Sequence, residues 1–163
     1  MRNHLLLSFA VTTGLSLCPA MADQPVTPAS LVPCPYTPEE IEATLGLRVN
    51  AGEAADMQFP AGRDVGCLYE VEGGSTTLAV RQTWDPTGSV GAAQTVTGKR
   101  GRAKAIPSDP DGAIWKVSSG EDDEPQAELT YTRGKVQTRV FVHGRSFRVS
   151  EMPPKLLKLR RVP

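Results

Sequence analysis

The side chains with the most distinctive chemistry in this sequence are three cysteines, Cys18, Cys34 and Cys67. No two of them form the C-x-x-C pair that is typical of a redox site. A structural zinc site takes about four nitrogen or sulfur ligands, and beyond Cys18 the chain offers only Cys34, Cys67 and His143. In an exported chain, two cysteines instead indicate one disulfide. The compartment therefore decides the chemistry of Cys34 and Cys67.

The N-terminal residues predict that compartment. Arg2 gives a short head its positive charge, Leu5–Leu17 is uncharged and mostly apolar, and Ala20-Met21-Ala22 places small residues where a signal peptidase needs them. These three parts define a secretory signal. The apolar stretch is shorter than the roughly 20 residues that span a bilayer. We therefore predict a cleaved signal peptide over residues 1–22 and a mature chain that starts at Asp23.

A lipid anchor at Cys18 is the alternative to cleavage after Ala22. A lipobox has a small residue just before its cysteine, whereas this chain has Leu17 there and Pro19 after it. An acylated cysteine would tie the protein to a membrane. We expect an exported protein, periplasmic or extracellular, and we favour cleavage over a lipid anchor. Export leaves two cysteines in the mature chain, which predicts one disulfide.

His143 is the candidate base of a hydrolytic site. A Ser-His-Asp mechanism also needs a serine nucleophile and an orienting acid beside the imidazole. The sequence has no Gly-x-Ser-x-Gly elbow that would supply the serine. We therefore expect His143 to lie at the end of a strand, we assign no catalytic residues, and we keep a hydrolase as the third functional hypothesis.

Two acidic segments could in principle attract a cation. Asp109-x-Asp111-Gly112 resembles the start of a calcium loop, but the third acidic position and the closing glutamate are missing. Glu121–Glu124 is a run of four carboxylates, which is typical of a solvated loop. We predict a plain turn at the first segment, an exposed loop at the second, and neither a metal nor another cofactor.

Cationic and aromatic side chains are candidates for binding. A basic run covers residues 99–104, and it contains no aromatic residue for stacking on bases. Export also argues against a nucleic-acid partner, whereas anionic lipid or an acidic protein would be attracted. Trp84 and Trp115 fit the core better than a ligand platform. The candidate binding residues are Lys99, Arg100, Arg102, Lys104, Trp84 and Trp115.

The elements that must position these residues begin after a leader. Residues 23–33 are rich in proline, and we expect them to be extended and flexible. Residues 34–163 then have the length of one domain, and they contain no apolar run long enough to span a membrane. Residues 23–98 contain 3 basic and 10 acidic groups, whereas residues 99–163 contain 14 basic and 8 acidic groups. The two halves of the chain therefore carry opposite charge.

A short helix is predicted over residues 38–45. Thr37 and Glu40 form a capping box around Pro38 at the first helical position. Ile41 and Leu45 lie one turn apart and form the buried stripe. Gly46 is a natural C-terminal stop.

Alternating apolar residues predict a series of strands. Residues 47–49 form a brief strand, Ala51–Gly62 reads as a loop, and Gly73-Gly74 turns a hairpin between Val65–Glu72 and Thr76–Trp84. The further predicted elements are a weak helical segment from Asp85 through Ala93, a short strand near Ile106, strands through Ala113–Val117, Ala127–Tyr131 and Val136–Val142, and a C-terminal amphipathic helix within residues 153–161 that packs Leu156 with Leu159 or Leu157.

These elements predict an α+β fold. An antiparallel sheet of about five to six strands is backed by an N-terminal helix and a short C-terminal helix, with one disulfide. One face of the sheet is buried and the other is wetter, because the apolar residues alternate.

Several short motifs follow one another along the chain: Cys34, Thr37-Pro38-Glu39-Glu40, Leu45-Gly46, Gly66-Cys67-Leu68-Tyr69, Asp111-Gly112-Ala113-Ile114-Trp115 and Arg133-Gly134-Lys135-Val136. Their order resembles a two-cysteine exported family of unknown function that is common among bacterial lipoproteins. The resemblance covers roughly residues 34–162 and implies a Cys34–Cys67 disulfide, a helix-backed antiparallel sheet and no assigned catalytic residues. This chain departs from the family in lacking a good lipobox.

The sequence leaves the molecular role open between three hypotheses. The first is a non-enzymatic exported protein that binds another protein of the cell envelope. The second is a small-ligand binding or sensing domain with a pocket between helix and sheet. The third is the hydrolase considered above for His143. A deep apolar pocket lined by Trp84 or Trp115 would favour the ligand, and a flat charged face would favour the protein partner. The oligomeric state stays open as well.

Overall fold

A computed structural model describes residues 28–59, 62–87, 103–118 and 124–162. Within these ranges no helix is long and apolar enough to cross a membrane. Predictions outside these ranges concern the signal peptide, Lys99, Arg100 and Arg102, most of the helical segment after Asp85, and Glu121 to Asp123 of the acidic loop.

One antiparallel sheet forms the body of the domain. Its order is β1-β2-β3-β7-β6-β5-β4, so two meanders meet where β3 pairs with β7. The predicted antiparallel sheet is confirmed, with seven strands in place of five to six. The strands are β1 Glu53–Phe59, β2 Gly62–Glu70, β3 Thr77–Trp84, β4 Lys104–Ala105, β5 Ile114–Ser118, β6 Gln126–Arg133 and β7 Val136–His143.

Two short helices, α1 Pro38–Leu45 and α2 Met152–Leu156, pack on one face of the sheet, here called the covered face. The opposite face, the open face, has no described helix on it. The inward residues of neighbouring strands stand opposite one another, and their burial in a shared core is what holds the sheet and helices together. The central rows of the covered face are Cys67, Val80, Val140 and Leu129, and Tyr69, Leu78, Val142 and Ala127.

Helix α1 begins and ends at residues with local reasons to do so. The Thr37 hydroxyl accepts a hydrogen bond from the Glu40 N–H, and the Glu40 carboxylate accepts one from the Thr37 N–H. Gly46 ends the helix in the left-handed conformation with φ of 72°, which glycine adopts without steric cost. The buried residues of α1 are Ile41 and Leu45.

The C-terminal helix is shorter than the sequence predicts. Helix α2 covers only Met152–Leu156, and the residues after it continue as a turn. Leu156 and Leu159 are buried, and Leu157 is half-buried. The amphipathic spacing therefore brings the leucines onto the core although the regular helix stops earlier.

Strand β1 corrects the interpretation of residues 51–62 as a loop. It pairs with β2 over its whole length, from Glu53 opposite Leu68 to Phe59 opposite Gly62. Its side chains from residue 53 to residue 58 are all exposed. A strand without a buried face has no need for alternating apolar residues, and so the sequence pattern could not reveal it.

The described part of the leader is packed rather than free. Leu31 is 3 % exposed and lies in a small cluster with Val65, Val136 and Trp84. Arg63 Nη1 donates a 2.6 Å hydrogen bond to the carbonyl of Pro28, where a 3₁₀ turn begins. Residues 28–31 therefore contact the sheet, because one apolar side chain is buried there, whereas the flexibility of the leader stays a prediction.

The predicted disulfide is confirmed. Cys34 and Cys67 are bonded across a Cα–Cα distance of 5.0 Å. Cys67 lies on the covered face of β2, and the bond ties the chain entering α1 to the sheet. Gly52 packs on this bond, since a Cβ at that position would lie 3.0 Å from Cys34 Sγ and 2.7 Å from a Tyr69 ring carbon. This close approach places the start of β1 beside β2.

Candidate functional site

The two candidate tryptophans contribute to packing. Trp84 ends β3 and joins the cluster around Leu31, and Trp115 on β5 is half-buried against the main core. Lys104 on β4 is exposed, and its Nζ lies 4.9 Å from the centroid of the Trp115 ring, which is a cation–π distance. The structure therefore brings together two of the six binding candidates, Lys104 and Trp115, and places Trp84 elsewhere. Lys99, Arg100 and Arg102 lie outside the described ranges.

The calcium-like segment is a turn whose carboxylates are occupied by protein groups. Asp109 Oδ1 accepts hydrogen bonds from the N–H groups of Asp111 and Ala113, at 3.0 and 3.2 Å. Asp109 Oδ2 pairs with Arg161 at 2.7 Å, and Asp111 pairs with Arg133 at 3.1 Å. Among the described residues, no group of three or more His, Cys, Asp or Glu side chains could hold a metal ion.

His143 ends β7, as expected, and meets a carboxylate at the surface. Its Nε2 lies 3.5 Å from Glu124 Oε2, and Arg145 lies 3.8 Å from the other oxygen of Glu124. All three side chains are at least one-third exposed. An exposed ion pair of this kind contributes little energy. The geometry gives His143 an acid, but its contacts within the described ranges do not include a serine hydroxyl.

Two buried tyrosines hold the C-terminal segment, a feature that sequence reasoning missed. Tyr36 Oη donates a 3.0 Å hydrogen bond to the carbonyl of Arg160, and Tyr131 Oη accepts a 2.9 Å bond from the N–H of Val162. The guanidinium groups of Arg160 and Arg161 lie over the two rings, at 5.3 and 4.4 Å. Burial raises the pKa of Tyr36 and of Tyr131 above the ordinary value. This cluster anchors the chain end.

A groove with several cationic side chains lies at the end of α1; we call it the basic groove. It consists of two adjoining cavities, each of about 450 Å³, that share Gly46, Leu47 and Ser146. The cationic residues that line it are Arg48, Arg145, Arg148 and Lys155, and the acidic ones are Glu72 and Glu151.

Most cations of the basic groove already have partners. Arg148 pairs with Glu151 at 3.2 Å, and Lys155 Nζ donates a 3.1 Å hydrogen bond to the carbonyl of Leu45 at the end of α1. Arg48 is 3.9 Å from Glu72. Because the groove is wide open to solvent and its arginines are exposed, it offers an anionic group modest attraction and little desolvation.

The free edge of β1 is the second candidate surface. Strand β1 terminates the sheet order, so its outer backbone groups have no strand to pair with in the described structure. We call this strand and its outer rim, Glu53–Phe59, the β1 edge. An exposed edge strand of this length is a template for pairing with another chain.

Two of the exposed apolar side chains lie on β1 and β2. The large apolar residues that the described structure leaves exposed are Met57, Leu68 and Val32, at 67, 40 and 53 %. Met57 is on β1 and Leu68 is on β2, both pointing to the open face.

The pairing register tells which backbone groups of the β1 edge point outward. Phe59 pairs with Gly62 across a two-residue connection, and the closing pair of such a hairpin is hydrogen-bonded. Alternation then directs the amides of residues 53, 55, 57 and 59 toward β2. The outward N–H and C=O groups belong to Ala54, Asp56 and Gln58.

Charge is distributed unevenly across the sheet. The described residues 28–87, which include β1, β2 and β3, contain 3 basic and 9 acidic groups. The described residues from 103 onward contain 11 basic and 5 acidic groups. Of the ion pairs found among the described residues, only Arg160 with Glu40, at 2.8 Å, joins the two sets. The opposite charges of the two halves are therefore not cancelled pairwise, and the acidic half lies toward the β1 edge.

Charged side chains at the centre of the open face form ion pairs with one another. Arg81 on β3 and Arg139 on β7 stand directly opposite each other. Arg81 is bonded to Asp64, and Arg139 Nε lies 2.8 Å from Glu128. Each arginine thus carries its own carboxylate, which removes the like-charge repulsion between them. These four residues form a ladder of ion pairs across the open face.

Comparisons with known proteins add no further assignment. Neither the protein-family models, nor the curated proteins, nor the solved structures give a match to this chain.

Proposed function

We propose that this chain is an exported, non-enzymatic binding protein of the bacterial cell envelope that engages another protein through the β1 edge. The observation that carries the proposal is a seven-residue terminal strand, Glu53–Phe59, whose side chains from residue 53 to residue 58 are exposed and whose outer backbone amides face away from β2. Adding a strand to such an edge is a common way of recognising a protein segment.

Export is the first component of this proposal. It is supported by the signal-like residues 1–22 and by the Cys34–Cys67 bond, since stable disulfides are typical of oxidising compartments. The resemblance to a two-cysteine exported family points the same way. A protein anchored at Cys18 would carry the same β1 edge, so the binding proposal does not depend on how the chain is retained.

The absence of catalysis is the second component. Among the candidate chemical groups, Asp109 and Asp111 are engaged by arginines, and His143 pairs with an exposed glutamate. Structural contacts therefore account for these side chains. Binding needs only a surface, and within the described ranges β1 has a neighbouring strand on one side alone.

Site-specific photocrosslinking in cells tests the function. A photoreactive amino acid that replaces Met57 on the β1 edge should form a protein adduct. The matched control places the photoreactive amino acid at Lys135, which is exposed in the turn between β6 and β7. We expect a discrete adduct of defined mass from position 57 and none from position 135. Equal labelling at both positions, or none at either, would contradict the proposal.

A small-ligand role is the second candidate, and the basic groove is the observation that favours it. Two joined cavities of about 450 Å³ with four cations around them suit an anionic molecule. Arg145 has only a long contact with its acidic partner, since its Nε lies 3.8 Å from Glu124 Oε1. If the groove binds anions, Arg145→Gln should abolish a stabilisation by anionic ligands that the parent protein shows in thermal unfolding.

A further inference from the structure

We propose that the occupant of the β1 edge is an extended cationic segment of another protein, which adds to the sheet as an eighth strand beside β1. This inference rests on the proposed function and specifies the chemistry of the partner. Three observations carry it: the outward amides of β1, the unpaired carboxylates beside them, and an apolar side chain placed on the same face as one of those carboxylates.

The backbone supplies affinity without regard to sequence. Ala54, Asp56 and Gln58 each present an outward N–H and C=O, which an extended chain can pair with over about seven residues. The alternation of inward and outward backbone groups inferred for β1 agrees with a hydrogen bond between β3 and β7. The N–H of Asp85 donates to the carbonyl of Lys135 at 2.9 Å, as the alternation between β3 and β7 requires.

The charge around the edge selects a cation. Glu53 and Glu70 are diagonal neighbours on the open face, because Glu53 stands opposite Leu68. Both are exposed, and within the described structure neither forms an ion pair, whereas Asp56 is held by Arg63 at 2.5 Å. Lysine or arginine on an added strand would meet carboxylates that have no cation of their own, in the acidic half of the molecule.

The spacing on β1 adds a side-chain pattern. Glu53 and Met57 are four residues apart on the same face of the strand, since side chains alternate along it. A partner strand lying against them therefore places a cationic residue opposite Glu53 and an apolar residue opposite Met57, also four residues apart. Met57 is 67 % exposed, and in such a complex part of its apolar surface would be removed from water, which favours binding.

A second copy of this chain fits the edge poorly. A second β1 strand would bring another Glu53 and another Asp56 to this edge, and it has no lysine or arginine to pair with the carboxylates already there. The other terminal strand, β4, is only two residues long and offers little backbone to pair with. A second copy is therefore an outcome that the test must be able to report, but it is not the proposed occupant.

Two blocked synthetic peptides serve as probes, Thr-Lys-Thr-Val-Thr-Leu-Thr and the same sequence with Glu in place of Lys. Each is titrated into the isotope-labelled protein while amide chemical shifts are followed by NMR. We expect the cationic peptide to bind about tenfold more tightly than the anionic one, with shifts concentrated on residues 53–59. Equal affinities, or shifts centred on the basic groove, would overturn the inference.

Two pairs of variants separate the backbone contribution from the charge contribution. Ala54→Pro removes one outward donor without touching the β1–β2 ladder and should weaken peptide binding about tenfold, whereas Ala54→Ser keeps the donor and should not. Glu53→Lys should reverse the preference toward the anionic peptide, and Glu42→Gln on α1 should leave it unchanged. If Ala54→Pro loses its dispersed amide spectrum, Gln58→Pro replaces it. Binding that survives the proline would show that no strand is added.

Sedimentation of the unliganded protein completes the test. A dimer that Ala54→Pro dissociates would assign the β1 edge to a second copy and overturn the inference. Failure of the inference and failure of the proposed function remain distinguishable. Crosslinks from position 57 without any preference for the cationic peptide would reject only the cationic partner, whereas absence of those crosslinks would reject the function itself.

Discussion

Buried tyrosines with hydrogen-bonded hydroxyl groups are the most informative single residues of the core. Tyr69 Oη donates to the carbonyl of Tyr36 at 2.9 Å, and the Tyr36 and Tyr131 hydroxyl groups reach the backbone of the C-terminal segment. Each ring fills the core while its polar tip satisfies a backbone group that would otherwise be costly to bury. The tyrosines therefore decide where residues 160–162 lie.

Alkaline pH should destabilise the protein through these tyrosines. Burial raises the pKa of Tyr36 in the folded state, whereas the unfolded chain releases the phenolic proton near pH 10. Above about that pH the folded state binds more protons than the unfolded state, so the free energy of unfolding falls as pH rises. The stabilising contribution is complete below about pH 10 and is lost above it.

Urea unfolding at pH values on either side of the tyrosine pKa measures this effect. Tyr36→Phe should be about 1 kcal/mol less stable near neutral pH, because the carbonyl of Arg160 loses its donor. The same variant should lose less stability on alkalinisation than the parent protein does. Phenolate absorbance from all three tyrosines at their ordinary pKa in the folded protein would contradict the prediction.

At the scale of elements, the disulfide joins the segment before α1 to β2. Cys67 is 4 % exposed, and Gly52 lies against the bond just before β1 begins. The bond therefore lies where the helix, the sheet and the β1 edge come together. Its loss would loosen the entry to α1 and, through Gly52, the start of β1.

Replacing both cysteines by alanine should lower the free energy of unfolding by about 4 kcal/mol. The sequence separation is 33 residues, and closing a loop of that size restricts the unfolded chain by about this amount. Denaturant unfolding of the parent and the Cys34→Ala/Cys67→Ala variant gives the difference. Added reductant should destabilise the parent and leave the variant unchanged; an equal response of the two proteins would refute the expectation.

At the scale of the whole molecule, the sheet order converts a charge pattern along the chain into a charge pattern in space. The acidic strands β1–β3 form one side of the sheet, and the basic strands and C-terminal segment form the other. With only Arg160 and Glu40 joining the two sets among the described residues, their attraction acts mostly over distances longer than an ion pair. Such attraction is sensitive to salt.

The free energy of unfolding in urea should therefore decrease as sodium chloride is raised from about 10 mM to about 150 mM, since the Debye length shortens from roughly 30 Å to 8 Å. The decrease should be on the order of 1 kcal/mol. Arg160→Gln removes the one joining pair and should leave most of the salt dependence in place. Stability that does not change with salt would show that the two sets of charges are independently solvated.

Some features of this structure could be predicted from the sequence and others could not. The glycines at 73 and 74 and the alternating apolar residues around them predict the hairpin of β2 and β3 because both signals are local. The candidate binding residues were harder to place from the sequence. Trp84 and Trp115 pack against the core clusters. Three of the four basic candidates lie outside the described ranges. The β1 edge was missed because residues 53–58 bury no face of the strand and so leave no periodic pattern.

The sequence by itself determined the features that rest on contacts between near neighbours. These are the capping residues Thr37 and Glu40, the stop at Gly46 and the strand alternation. The disulfide between Cys34 and Cys67 was predicted on another ground, from the two cysteines that remain if a signal peptide containing Cys18 is removed. Tertiary structure alone decided that β3 pairs with β7, that β1 is a strand, and that the acidic half contains a terminal strand of the described sheet. Pairing between distant strands depends on which buried faces fit together across the whole sheet, and no local pattern encodes that choice.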